Sequence, residues 1–306
     1  MMGPMRAVLL GNPKSGRGLA GRLRPRFERT LRDGGIETDC VDVDRTIASG
    51  VDPRRIDGAD ALVVFGGDGT IHHVSAIAME TSTPIYHVPA GNENLFAREF
   101  GMSRSPSRLL TAMREARVKR IDVPTWNDRN YLIMASTGLD AGVIGRLHSA
   151  RSWAVGHAAY FEPMLREAFW PTRCTCTVTV DGERVVENER GTVIVANSRE
   201  YAGRLNLARS AAVDDGMLDY VFIPHLSMLG ASRWAVRAWL RVIHRGPGAA
   251  VGRGRVIEIE TADPGPWQID GELASSETAS CVCRVQPKAL PVLIPAVGGR
   301  HAAVMA

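Results

Sequence analysis

Residues 61–70, ALVVFGGDGT, join a short apolar run to a glycine-rich loop, and this stretch predicts the fold class of the N-terminal half. The run Ala61–Phe65 is typical of a buried strand, and residues 71–80 after the loop are helix-like. The same order occurs twice more, with strands and helices predicted over 6–12 and 19–31, and over 84–88 and 95–100. A strand over 38–43 completes the set. A repeated strand–loop–helix order predicts a doubly wound parallel sheet, with ligands at the carboxyl ends of its strands.

Beyond about residue 120 the pattern changes to short β-rich stretches separated by turn residues, among them Asp181-Gly182 in a predicted hairpin. Strands are predicted over 118–123, 130–137, 174–186, 190–197, 217–223, 255–261 and 279–285, and helices over 152–169 and 227–245. We therefore predict an α/β domain over 1–124, joined by the C-terminal segment 290–306. An antiparallel β-sandwich-like domain with inserted helices follows over 125–289.

Composition excludes several classes of protein. The 306 residues carry 37 Lys and Arg against 33 Asp and Glu, and this excess is too small to predict nucleic-acid binding. No apolar segment of about 20 residues could span a membrane, so a cytoplasmic location is expected. The odd number of cysteines, 5, favours reduced thiols over a disulfide framework. Each C-x-C pair, 174–176 and 281–283, would share one strand face, with zinc as the alternative to small buried residues.

The loop Gly66-Gly67-Asp68-Gly69-Thr70 has the chemistry of a phosphate site. Consecutive glycines let backbone N–H groups approach phosphate oxygens, and the helix that follows adds its N-terminal partial charge. A carboxylate beside polyphosphate normally acts through Mg²⁺, so Asp68 would serve as a ligand of that ion. The alternative is a plain β–α turn in which Asp68 caps the helix.

Two further loops favour the phosphate interpretation. Residues 12–18, NPKSGRG, also connect a strand to a helix, although they lack the spacing of a Walker A loop. Residues 89–94, PAGNEN, follow a third strand in the same way. Because parallel strands end at one edge of a sheet, the three loops together predict a nucleotide-binding site.

In this order and spacing, NPKSGRG, FGGDGT and PAGNENLFAREFG resemble the diacylglycerol kinase catalytic domain family, which includes bacterial lipid kinases and sphingosine kinases and is distantly similar to NAD kinases. The resemblance continues through STGLDAGVIG, RSWAVGHAAY, VDDGMLDYVFI and QIDGE, at residues 136–145, 151–160, 213–223 and 268–272. It covers about residues 6–295. GGDGT alone is shared with NAD kinases, whereas the ordered set is specific to the lipid kinases.

The resemblance implies ATP and Mg²⁺ as cofactors and assigns roles by position. It implies Glu272 as general base and Asp68 as the second catalytic residue, beside Mg²⁺. It implies nucleotide contacts at Asn12, Ser15, Gly16, Thr46, Gly66, Gly67, Asp68, Gly69, Thr70, Gly91 and Asn92. The sequence departs from the family where the third loop usually has Thr and a second acid, here Asn92 and Leu95. An Asn amide can still donate to phosphate, whereas Leu removes any acidic function at its position.

Two acidic turns have roles that only the resemblance implies. Asp215, with the backbone carbonyls of Ala212 and Met217, resembles the family's site for a second, structural Mg²⁺, and such oxygen ligands suit that ion. The alternative is an Asp-Asp-Gly turn that enters a strand. Likewise, Asp270-Gly271-Glu272 alone is typical of a plain β-turn with solvated acids.

A basic stripe over 227–245 predicts peripheral membrane contact. Arg233, Arg237, Arg241 and Arg245 recur every four residues without an acid between them, and two tryptophans accompany them. Arginine with tryptophan is typical of a helix that lies on anionic lipid. The alternative is an ordinary amphipathic helix with its apolar face in the core.

The sequence therefore predicts an ATP-dependent lipid kinase, a phosphotransferase acting on the hydroxyl of a diacylglycerol-like lipid in phospholipid metabolism. It would be cytoplasmic with transient membrane contact, without a nucleic-acid partner. The alternatives are a kinase of a soluble acceptor and a non-catalytic nucleotide or lipid sensor. The identity of the lipid and the oligomeric state, with a homodimer as one candidate, stay open.

Overall fold

The computed structural model describes residues 5–13, 15–43, 51–149, 174–201, 207–224, 237, 246–274 and 278–295. The chain divides into two compact units. The first comprises Met1–Ile121 and Lys288–Ala306, and the second comprises Asp122–Pro287.

The first unit is an α/β domain built on a parallel sheet. Its elements are β1 (Arg6–Gly11), α1 (Ser15–Asp33), β2 (Glu37–Asp42), α2 (Pro53–Ile56), β3 (Ala61–Gly66), α3 (Asp68–Glu80), β4 (Ile85–Pro89), α4 (Leu95–Glu99) and α5 (Pro106–Glu115). The strand order β4-β3-β1-β2 is parallel throughout. A parallel pairing of Val292 with Ile85 adds the end of the last strand to the β4 edge.

The central strands of this sheet are apolar because helices cover both of their faces. Every residue of β3 is buried, and in β1 only Arg6 at its start is not. Phe27 of α1 packs edge-on against Phe65 of β3, with ring centroids 5.2 Å apart. This packing holds α1 against the end of β3, where the glycine-rich loop begins.

The second unit is a mostly antiparallel β-sandwich. Its elements, together with the parts of β5 and β15 that extend into the first unit, are β5 (Val118–Trp126), β6 (Arg129–Asn130), β7 (Met134–Thr137), α6 (Leu139–Ser149), β8 (Thr175–Val180), β9 (Glu183–Ala196), β10 (Leu218–Pro224), β11 (Ala250–Gly254), β12 (Val256–Gly265), β13 (Trp267–Ile269), β14 (Glu272–Leu273) and β15 (Thr278–Leu293).

The long strand β9 links the two layers of the sandwich. One part of it pairs with β8, next to β12 and β15, and the other part pairs with β7 and β10. The core contains Trp126 and Trp267, whose rings lie 5.8 Å apart, and the four cysteines of the C-x-C pairs. These thiols are free, and β12 lies between β8 and β15, so the two pairs are not on adjacent strands. They are therefore small core residues, as the simpler interpretation expected.

The predicted fold class is confirmed, whereas several element bounds are wrong. The hairpin at Asp181-Gly182 forms as predicted, with both residues at positive φ. The predicted break near residue 188 does not occur, because β9 continues through Asn188. The helices α2, α5 and α6 and the strands β11, β13 and β14 were not predicted. The predicted helices over 152–169 and 227–245 lie outside the described residues, apart from Arg237 in a helical position.

Candidate functional site

Two backbones of the glycine-rich loops touch at Gly67 and Gly91. A Cβ atom on Gly91 would lie 2.6 Å from the Cα of Gly67, closer than real Cβ atoms come to another backbone. The amide of Ala90 also donates to the carbonyl of Gly66 over 2.7 Å. The loops after β3 and β4 are therefore packed backbone against backbone, which only glycine permits here.

The loop after β1 joins the same group through Gly16. This residue has a φ of 57°, and a Cβ on it would lie 2.0 Å from the carbonyl oxygen of Ala90. Ser15 begins α1, and its amide donates to the carbonyl of Asn12 over 2.9 Å. The structure thus brings together all three loops at the carboxyl edge of the parallel sheet, as their sequence positions predicted.

The predicted phosphate loop, residues 66–70, includes the N-terminus of α3. Gly67, which has no side chain to cap the helix, occupies the N-cap position. Asp68, Gly69 and Thr70 form its first turn, and the amide of Thr70 donates to Gly67. The amides of Asp68 and Gly69 precede the first hydrogen bond of the helix, so they are available to an anion. Asp68 is therefore not the cap, and the capping alternative was wrong.

The Asp68 carboxylate instead reaches the next loop. Its Oδ1 atom accepts the backbone N–H of Phe96 in α4 over 3.1 Å, and the side chain stays half-buried. This contact holds a carboxylate at the edge of the glycine loops. Proteins commonly hold Mg²⁺ through a carboxylate together with the phosphate oxygens of the substrate.

Asn94 is a residue of the third loop that the sequence analysis missed. Its amide both accepts from the N–H of Gly91 and donates to the carbonyl of Gly91, each over 2.8 Å. It adopts a left-handed φ of 51°, a conformation that Asn tolerates well. Asn92, which was predicted to contact the nucleotide, is exposed, and Leu95 is buried. Asn94 stands directly before the apolar residues Leu95 and Phe96 that begin α4, a position where Asn is favoured, and this was the available signal.

The buried His87 makes a hydrogen bond to the first residue of the loop 66–70. The Nε2 atom of His87 lies 2.8 Å from the carbonyl oxygen of Gly66, and its Nδ1 atom has no hydrogen-bond partner in the described residues. Burial lowers the pKa of His87 below its ordinary value, against the opposing effect of Asp68. The neutral imidazole therefore donates its single N–H to the Gly66 carbonyl.

Taken together, the first unit fits a nucleoside polyphosphate. It offers close-packed glycine backbones, a helix N-terminus without a side-chain cap and one carboxylate held at their edge. Among the described residues no group of three or more His, Cys, Asp and Glu could hold a metal ion by itself. A Mg²⁺ ion bound through Asp68 would therefore need phosphate oxygens as further ligands, as is usual for this ion.

In the second unit, Glu272 lies on an exposed hairpin that the half-buried Asp270 anchors. The turn between β13 and β14 consists of Asp270 and Gly271, both at positive φ. The Asp270 carboxylate accepts the backbone N–H groups of Leu132, Ile133 and Met134 over 2.8, 2.8 and 3.1 Å. The interpretation as a turn with solvated acids is therefore wrong for Asp270, whereas Glu272 is exposed.

A polar network inside the sandwich holds the same turn. Gln268 accepts the N–H of Gly271 over 2.8 Å and donates to Asp140 over 3.0 Å. Asp140 also accepts the hydroxyls of Ser136 and Tyr201. Gln268 is 2% exposed, so its polar atoms depend on these partners. The sequence analysis quoted Gln268 and Asp140 within motifs but gave them no role.

At the predicted structural metal site, the Asp215 carboxylate pairs with an arginine. The Asp215 carboxylate pairs with the guanidinium of Arg253 and accepts the N–H of Met217 over 3.1 Å. Arg253 also lies 3.3 Å from the carboxylate of Asp219. As folded, Asp215 is committed to a guanidinium. The set formed with the carbonyls of Ala212 and Met217 therefore does not fit a divalent cation.

Several predicted residues lie outside the described part of the chain, among them Thr46, Arg233 and Arg241. Arg237 is described only as a half-buried helical residue. No helix among the described residues is long and apolar enough to cross a membrane.

Comparison with known proteins gives matches along nearly the whole chain. Residues 6–126 match the diacylglycerol kinase catalytic domain, and residues 133–294 match the YegS C-terminal NAD kinase beta sandwich-like domain. A protein of Mycobacterium tuberculosis named diacylglycerol kinase is 27% identical over 226 residues, covering 70% of this chain and 72% of the relative. A Citrobacter koseri protein named "Probable lipid kinase YegS-like" is 25% identical, with 87% and 89% covered.

Two crystal structures from Bacillus anthracis str. Sterne share the fold. One aligns with a TM-score of 0.77 at 18% identity, covering 97% of each chain. The other, named a diacylglycerol kinase, aligns with a TM-score of 0.68 at 16% identity, covering 97% of this chain and 99% of its own.

Proposed function

Because the chain belongs to the diacylglycerol kinase family of lipid kinases, we propose that it transfers the γ-phosphate of ATP to the hydroxyl of a diacylglycerol-like lipid. The observation that carries this proposal is the contact of Gly67 with Gly91 beside Asp68 at the N-terminus of α3. Close-packed glycine backbones at a helix N-terminus are suited to bind a polyphosphate chain.

In this proposal each loop of the first unit contacts the nucleotide. The amides at the start of α3, at Asp68 and Gly69, face the phosphates, and Thr70 and Ser15 offer hydroxyl donors. Asn12, Gly16, Gly66 and Thr46 complete the nucleotide-binding set, and Asn92 donates through its exposed amide. Phosphoryl transfer needs little covalent help from the protein, so holding and orienting these oxygens supplies most of the rate.

Mg²⁺ would be held by Asp68 together with phosphate oxygens, and it would neutralise the charge that develops on the transferred phosphoryl group. The hydrogen bond from Phe96 keeps one oxygen of this carboxylate fixed. The protein's contribution at this position is thus a pre-oriented carboxylate rather than a complete metal cage.

Glu272 is proposed as the general base for the lipid hydroxyl. It lies next to Gly271, whose N–H is held by Gln268, and two residues after Asp270, which is fixed by three backbone amides. A base is effective only when it stays within hydrogen-bond reach of the proton it removes. The anchored hairpin supplies this restraint on an otherwise exposed side chain.

The replacement of an acid by buried Leu95 leaves a non-catalytic sensor as the competing function, and GGDGT leaves a kinase of a soluble acceptor. The decisive experiment offers the wild-type protein radiolabelled ATP with diacylglycerol, monoacylglycerol, sphingosine, ceramide, undecaprenol and NAD in parallel. Label in one of the lipids supports the proposal. ATP binding without transfer to any acceptor supports the sensor, and label in NAD alone supports the soluble acceptor.

A further inference from the structure

Arg253 and Asp219 face each other across the antiparallel pair β10–β11. They are register partners, so their side chains project from the same face of the sheet. The Asp219 side chain is 3% exposed, and the Nε atom of Arg253 lies 3.3 Å from its Oδ2. Ser210 donates its hydroxyl to the other oxygen. A carboxylate buried to this extent needs a counter-charge, and Arg253 provides it.

The same guanidinium reaches the loop that precedes β10. One of its terminal nitrogens pairs with the carboxylate of Asp215, whose side chain is 31% exposed. Arg253 therefore bridges two carboxylates, one on the strand and one on the loop. The planar guanidinium has several donors in fixed directions, which suits two acceptors at once.

Hydrogen bonds among protein groups also hold this loop. The buried Asp122 carboxylate accepts the N–H of Gly216 over 2.6 Å, and its own N–H donates to Val213 over 2.7 Å. The second oxygen of Asp215 accepts the N–H of Met217. A divalent cation bound here would have to displace Arg253 from Asp215, and this would also remove the counter-charge of Asp219.

We propose that the guanidinium of Arg253 is the cation that fastens the loop 212–217 to β10, at the position where the family resemblance implies a structural Mg²⁺. An arginine stays charged throughout the physiological pH range and needs no free metal. The second unit therefore folds to full stability without a divalent cation. This inference is independent of the catalytic proposal, because it concerns the fold of the sandwich and not phosphate transfer.

Thermal unfolding of the full-length protein without nucleotide tests this inference, in EDTA and in millimolar MgCl₂. The wild-type melting temperature should be the same in both conditions. Arg253→Ala should melt several degrees lower in EDTA and regain part of the loss in MgCl₂, because two bare carboxylates attract the ion. Arg255→Ala, a change at an exposed arginine two residues away, is the matched control and should behave as the wild type does.

Direct Mn²⁺ binding keeps the inference testable if Arg253→Ala does not fold. Titration of Mn²⁺, followed by electron paramagnetic resonance, should give the same number of bound ions for the wild type and for Asp215→Asn. A wild-type melting temperature that falls in EDTA, or one bound ion that Asp215→Asn loses, would overturn the assignment of the site to Arg253.

Discussion

The Asp68 carboxylate accepts the backbone N–H of Phe96 over 3.1 Å, across 28 residues of chain. This hydrogen bond ties the glycine-rich loop after β3 to the helix after β4. It also leaves the negative charge of Asp68 at the edge of the glycine loops. The hydrogen bond uses an acceptor atom of this side chain, whereas the proposed role in phosphoryl transfer would use its charge.

Asp68→Asn separates these two properties. The amide oxygen can still accept the N–H of Phe96, so the unfolding free energy should change little, whereas the lost charge should lower kcat at least about 100-fold. Asp68→Ala should also lose about 1 kcal/mol of stability with its acceptor. Denaturant unfolding and lipid phosphorylation measure the two effects. Asp128→Asn, at an exposed turn, is the control, and a fully active Asp68→Asn would exclude a charge-based role.

Gly91→Ala tests the contact between the glycine loops. The new Cβ would lie 2.6 Å from the Cα of Gly67, and neither backbone can yield without disturbing its loop. We expect a loss of about 1–3 kcal/mol in unfolding free energy, as for other overpacked sites, together with weaker ATP binding. Gly265→Ala is matched, since a Cβ there meets nothing within 4 Å. Calorimetric ATP titration of both variants gives the comparison, and equal affinities would refute the loop assignment.

Asp270→Ala removes the anchor of the hairpin that carries Glu272. Three backbone amides lose a charged acceptor, and each such hydrogen bond contributes about 1.5–3 kcal/mol with overlapping losses, so we expect a total near 3 kcal/mol. The kcat should fall more than the KM changes, because the base loses its orientation and not its substrate contacts. Asp263→Ala, exposed on β12, should change neither quantity. An unchanged kcat would show that Glu272 is positioned by other means.

Protonation of His87 should destabilise the protein in mild acid. Its folded-state pKa lies below the ordinary value of 6.5, so the unfolded chain binds the proton more readily. The stabilisation is complete above about pH 6.5 and is lost as the pH falls toward the folded-state pKa, by up to about 1.4 kcal/mol per pH unit. His87→Gln, which keeps a donor for Gly66, should lose less stability over this range than the wild type. His73→Gln is the control, and identical pH profiles for wild type and His87→Gln would contradict the account.

Local patterns were enough to predict the fold class and the three loops. Apolar runs such as Ala61–Phe65 mark buried strands, and the glycines that follow mark the carboxyl edge of the sheet. Ser105-Pro106 signalled the start of α5 and could have been recognised, since proline is favoured at a first helical position. Gly142 and Gly145 lower the helix propensity of α6, which concealed it.

The polar contacts could not be predicted in the same way. Asp270 binds amides more than 130 residues away, and Arg253 meets Asp215 38 residues away. Such partners are chosen by strand register and by the burial of a particular carboxylate, and neither is visible in a local stretch of sequence. The resemblance implied a metal at Asp215, whereas the register of β10 and β11 places Arg253 opposite Asp219, and from there it also reaches Asp215.

Lipid phosphorylation with Glu272→Gln tests both the proposed lipid kinase activity and the assignment of Glu272 as its general base. Wild type, Glu272→Gln and the exposed control Glu258→Gln are each given [γ-³²P]ATP, MgCl₂ and diacylglycerol in mixed micelles, and label in the organic phase is counted. We expect rapid labelling by the wild type and Glu258→Gln, and a kcat about 10²–10⁴-fold lower for Glu272→Gln with ATP binding intact. Equal labelling by all three would contradict the assignment of the base. No labelling by the wild type, with any lipid of the panel, would contradict the proposed lipid kinase activity.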